Sequence, residues 1–131
     1  MKKILLILVI VTLTLLVLNG GGFAQKKPDV LGTWAGYAIV GDGSRVDITV
    51  VIEKDAAGYT GKISDATGAV PETQLKNIVF KDQKLAFEFE MSEGMEPMLI
   101  KIDLALENEV LKGNWLDPEG NTGLIELTLK K

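Results

Sequence analysis

The chain has 131 residues and contains neither cysteine nor histidine. Its formal charge is −4, and −6 once the lysines at positions 2 and 3 are set aside with the leader described below. These facts exclude a cysteine nucleophile, a serine–histidine triad, a zinc site built on imidazole or thiolate, and a lipid-anchored lipoprotein cysteine; the acidic balance argues against nucleic acid and anionic lipid as partners.

Met1, Lys2 and Lys3 form a short basic segment, and residues 4–18 are apolar apart from Thr12 and Thr14. This run is shorter than the ~20 residues that span a bilayer comfortably. Asn19, Gly20, Gly21 and Gly22 end any helix, and Gly22-Phe23-Ala24 places small residues three before and one before a cut. The pattern is that of a secretory signal peptide. Residues 1–24 are therefore expected to be removed after Ala24, leaving a secreted or periplasmic chain with no stable membrane anchor. Residues 25–29 are polar with one proline, residues 25–30 read as a flexible arm, and residues 31–131 read as a single domain.

From position 31 the apolar residues recur with period two. Val46, Ile48, Val50 and Ile52 alternate with Asp47, Thr49, Val51 and Glu53, and Leu85, Phe87, Phe89 and Met91 alternate with Ala86, Glu88 and Glu90. Met98, Ile100, Ile102, Leu104 and Leu106 continue the pattern, as do Ile125, Leu127 and Leu129. Such alternation marks strands with one packed face and one wet face. Turn residues separate the runs, among them Gly41-Asp42-Gly43-Ser44, Lys81-Asp82-Gln83 and Asp117-Pro118-Glu119-Gly120. The spacing predicts eight strands over 31–40, 45–54, 58–65, 75–81, 84–92, 96–106, 109–117 and 122–130. Short connections make each strand pair with the next. Eight antiparallel strands with one apolar face are best hidden by curling, so the expected fold is all-β, an eight-stranded antiparallel up-and-down barrel. The alternative is a two-sheet β-sandwich.

Residues 48–68 echo residues 100–120 at a constant offset, with Ile48 matching Ile100, Gly61 matching Gly113, Ile63 matching Trp115, Asp65 matching Asp117 and Gly68 matching Gly120. Both segments are hairpins that end in an Asp-x-x-Gly turn. Gly36, Gly61 and Gly113 fall inside strands, where glycine weakens pairing unless the sheet bends or another group approaches closely.

Gly32-Thr33-Trp34 resembles the Gly-x-Trp opening of lipocalins and related calycin barrels. With Leu111-Lys112-Gly113-Asn114-Trp115 and the short Leu-rich last strand, residues 31–130 are similar to the small lipocalin-like β domains of exported bacterial proteins, some of which precede α/β-hydrolases. The resemblance implies a barrel in which Trp34 plugs the closed end beneath a basic residue, Lys130 or Lys131. The chain departs from typical lipocalins in being shorter, in lacking disulfides and in lacking a C-terminal helix.

Trp34, Phe87, Phe89, Met91, Met98 and Trp115 concentrate apolar bulk at inward positions and are the candidate ligand-binding residues. Each of these side chains also suits a plain core. Glu88 and Glu90 alternate with phenylalanines and should face water, so they do not form the facing carboxylate pair of a glycosidase. With no convergent catalytic set, a non-enzymatic exported binding protein is expected, one that holds a small apolar ligand and needs no cofactor or metal. A protein-interaction module or inhibitor with a filled interior is the alternative. In that case an exported protein partner would dock on outward apolar residues such as Tyr37, Ile39, Val51, Leu99 and Leu124.

Overall fold

The computed structural model describes residues 29–131 apart from positions 69, 94 and 95 and the side chains of positions 92 and 93. The segment read as a signal peptide, its expected cleavage point and Met95 lie outside the described residues. The described chain is all-β and forms one antiparallel sheet. Its strands are β1 (Gly32–Ile39), β2 (Arg45–Asp55), β3 (Gly58–Asp65), β4 (Thr73–Gln74), β5 (Lys76–Lys81), β6 (Lys84–Glu93), β7 (Glu96–Glu107), β8 (Val110–Leu116) and β9 (Thr122–Leu129).

The sheet runs β4-β3-β2-β1-β9-β8-β7-β6-β5. Its first and last strands meet in the middle, where Trp34 pairs with Leu129 and Ala38 with Ile125. Its two edges, β4 and β5, are successive in the chain and separated only by Leu75. The main chain itself therefore bridges the gap, and the sheet is nearly closed into a barrel.

There are nine strands rather than the expected eight. The segment read as one strand over 75–81 belongs to a longer extended run that changes partner. Thr73 and Gln74 pair with Ile63 and Lys62 of β3. After Leu75, Lys76 pairs with Glu88 of β6, and the register shifts before Val79. Asn77 has a positive φ of 52°, which asparagine tolerates better than most residues. The bend lets one run cap both sheet edges, and Leu75 N–H donates to the Gly61 carbonyl at 2.9 Å across the join.

Alternation sorts the side chains as the sequence implies. Val50, Ile52, Leu85, Leu104, Leu111, Ile125 and Leu127 are buried with Trp34 and Phe87 in a continuous core. Burying each large side chain contributes roughly 1.5–3 kcal/mol, which is how a domain without disulfides holds together. Gly36, Gly61 and Gly113 stand where a Cβ would run into the backbone of the neighbouring strand, at the carbonyls of Glu126, Val51 and Asp103. Close strand approach, rather than accommodation of a ring, accounts for them.

One end of the barrel is sealed. Trp34 is 1% exposed, and its indole N–H donates to the Val30 carbonyl at 2.9 Å. Val30 is itself fully buried, and Asp29 accepts a hydrogen bond from the Tyr59 hydroxyl at 2.9 Å. These two residues thus belong to the barrel and not to a loose arm. The ammonium of Lys131 pairs with Glu109 at 3.1 Å, and the main chain of Lys130 bonds to Thr33. Among the described residues the cation–π contacts are those of Arg45 on Tyr37 and Lys54 on Tyr59, and no basic side chain stacks on Trp34.

Candidate binding cavity

The opposite end is open. Ladder pairs in the β6–β7 hairpin run from Leu85–Leu104 through Phe87–Ile102 and Phe89–Ile100 to Met91–Met98. The first pairs are sealed in the core, whereas Met91 and Met98 are only half-buried. Facing them are small side chains, Ala38, Val40, Val46 and Val70, too short to fill the barrel. The result is a cavity of about 330 Å³, lined chiefly by apolar groups and open at this end. Its size falls at the lower end of the range for small-molecule sites.

Four of the six candidate residues line this cavity: Phe89, Met91, Met98 and Trp115. Phe87 and Trp34 do not; Phe87 is 2% exposed within the core, and Trp34 is the plug at the other end. Trp115 forms part of the wall with a fixed orientation, because its indole N–H donates to the Ile39 carbonyl at 2.9 Å. Sequence reasoning passed over the small residues that create the space, since smallness at an inward position carries no distinctive pattern.

It placed two carboxylates, Asp65 and Asp117, in the turns of the internal echo and not at a cavity. Both line the cavity. Asp65 continues the inward series Tyr59, Gly61, Ile63 and lies opposite buried Ile48. Asp117 continues the series Gly113, Trp115. The two occupy equivalent places in the internal echo, yet their surroundings differ. Asp117 accepts hydrogen bonds at 2.9 Å from the backbone N–H groups of Glu119 and Asn121 and from the Asn121 side chain. The Asn121 side-chain bond, joined by backbone donors of the turn, holds the Asp117 carboxyl below its ordinary range. Asp65 receives one bond on Oδ2, from the Thr67 hydroxyl at 3.1 Å. Its Oδ1 is buried and has no hydrogen-bond partner among the described residues.

Other candidate features lie outside the barrel. Glu88 accepts from Asn77 and Glu90 pairs with Lys76, each at 2.6 Å. Both carboxylates are therefore engaged in cross-strand contacts on the outer face. Tyr37 donates to Glu126 at 2.9 Å beneath the Arg45 guanidinium, which lies 4.2 Å from the ring centre. Val51 lies opposite Thr33 and Lys62, and Leu99 opposite Glu90. Val51 and Leu99 are thus each set beside polar cross-strand neighbours. No group of three or more potential metal ligands occurs among the described residues.

No protein-family model, curated protein or solved structure matches this chain.

Proposed function

We propose that this chain is an exported, non-enzymatic binding protein of lipocalin-like form that holds a small apolar molecule in the open end of its barrel. The observation that carries the reading is the one-ended cavity of about 330 Å³, walled by Phe89, Met91, Met98 and Trp115. Removing an apolar ligand from water against such a wall contributes roughly 25 cal/mol per Å² buried. The adaptable methionines at the open end suit a ligand that has to enter and leave. The leader read in residues 1–24 supports a secreted or periplasmic setting after cleavage following Ala24.

The test is mass spectrometry of protein recovered from its host's exported fraction, under native and denaturing conditions. The denatured mass is expected to begin at Gln25. The native spectrum is expected to carry additional mass on the order of a few hundred daltons, as for a small ligand. Ala38→Leu, which adds bulk to the cavity wall, should remove that mass while leaving the fold intact. A bare native chain that also fails to bind 1-octanol in vitro would overturn the carrier reading and favour a partner on the outer face.

A further inference from the structure

Asp65 is out of keeping with the cavity that it lines. A carboxylate oxygen removed from water without a donor is costly. Asp65 Oδ1 is in that condition among the described residues, while its counterpart Asp117 is satisfied by its own turn. The difference has a local cause. The turn after Asp117 contributes Asn121, whose side chain and backbone both donate to the carboxylate. The turn after Asp65 contributes Thr67, whose hydroxyl donates to Oδ2. One acceptor is thus left over beside an apolar space.

The connections around the opening are acidic. The connections over 40–44, 66–72 and 117–121 carry Asp42, Glu72, Asp117 and Glu119 and no lysine or arginine. Glu72 is countered by Lys62 from β3 at 2.8 Å and Arg45, next after the 40–44 connection, is engaged by Asp47 at 3.3 Å, so the acids of these connections leave the rim negative. Such a rim repels anions and draws in cations. A fatty-acid carboxylate would therefore meet repulsion at the opening and a second carboxylate inside.

We propose that the cavity takes a small aliphatic amine, its hydrocarbon body against Phe89, Met91, Met98 and Trp115 and its ammonium group paired with the Asp65 carboxylate. This assignment rests on the carrier reading and names the chemical class of its ligand. An ammonium supplies three donors and the opposite charge, and charge-assisted hydrogen bonds are the stronger kind. A hydroxyl would gain less from the carboxylate, and a pure hydrocarbon would leave its charge unanswered.

Isothermal titration calorimetry with 1-octylamine, 1-octanol and octanoate on the mature chain tests the assignment. Octylamine is expected to bind about tenfold or more tightly than octanol, and octanoate least tightly. The near-isosteric Asp65→Asn variant should weaken octylamine by about tenfold and change octanol by less than about threefold. Far-ultraviolet circular dichroism establishes that this variant is folded, and Asp65→Ser gives an independent removal of the charge. If octanoate binds as tightly as octylamine, or if both Asp65 variants weaken octylamine and octanol equally, the amine assignment is overturned and the carrier reading stands. If none of the three probes binds, the carrier reading itself has failed.

Discussion

The indole nitrogen of Trp115 donates to the carbonyl of Ile39 at 2.9 Å, and in doing so it reaches across a whole strand. Trp115 is on β8 and Ile39 on β1, with β9 between them. Gly123 is the β9 residue that pairs with Trp115 in the ladder. A Cβ on Gly123 would lie 2.6 Å from the indole nitrogen and would also run into the Ile39 carbonyl. The absence of a side chain at this position is what allows the ring to lie over the sheet and form a wall of the cavity.

Gly123→Ala is therefore expected to destabilise the domain by about 1–3 kcal/mol, the usual cost of forcing atoms into a packed site. The urea midpoint measures it. Trp115 should also lose its fixed orientation, giving a red shift in tryptophan emission that Trp34, sealed at the far end, does not produce. Because the two residues touch, Gly123→Ala combined with Trp115→Phe should cost less than the sum of the single changes. Strict additivity would show that the glycine serves some purpose other than making room for the ring.

The β5–β6 connection offers a change in the opposite direction. Asp82 and Gln83 both have positive φ, 54° and 62°, as a two-residue type I′ hairpin requires. The main chain of Gln83 also accepts a hydrogen bond from Leu106 N–H at 2.8 Å, which any residue can provide. Gln83→Gly removes the Cβ from a left-handed conformation without removing that bond. It is expected to stabilise the domain by about 0.5–1 kcal/mol, seen as a rise of a few degrees in the thermal midpoint. A lower midpoint would mean that the entropy glycine adds to the unfolded chain outweighs the strain it relieves.

The strands were legible in the sequence wherever alternation was clean. Val46 to Ile52 and Met98 to Leu106 place every second residue inward, and the registers bear that out. The split at Leu75 was not legible, because the bend carries neither glycine nor proline; Asn77 is its one local mark. Trp34 and Trp115 look alike as inward aromatics, yet one seals an end and the other lines a space. That distinction depends on sheet curvature and on the small residues Ala38, Val46 and Val70 across the barrel. Asp65 could have been noticed by parity, since a carboxylate continues the inward series of Gly61 and Ile63. Its missing partner depends on where the Thr67 hydroxyl points, and alternation carries no such information.

The second carboxylate at the cavity should reveal itself through pH. The Asn121 side-chain bond, aided by backbone donors of the turn, depresses the folded-state value of Asp117 below the ordinary 3.8. As pH falls through this range, the unfolded chain takes up a proton at Asp117 before the folded chain does, so acidification favours unfolding. The stability contributed by Asp117 is thus fully present above the ordinary carboxylate range and is lost as pH falls through the depressed folded value. Asp117→Asn should therefore lower the urea midpoint at about pH 6, with the gap from the parent chain closing as pH falls through the depressed folded value. Asp42 works in the same sense in the 40–44 connection, where its bonds to Ser44 lower its value, so the parent chain should retain some acid sensitivity after Asp117 is replaced. A gap between parent and variant that stayed constant from about pH 6 to about pH 3 would show that the turn depends on the shape of the Asp117 side chain and not on its charge.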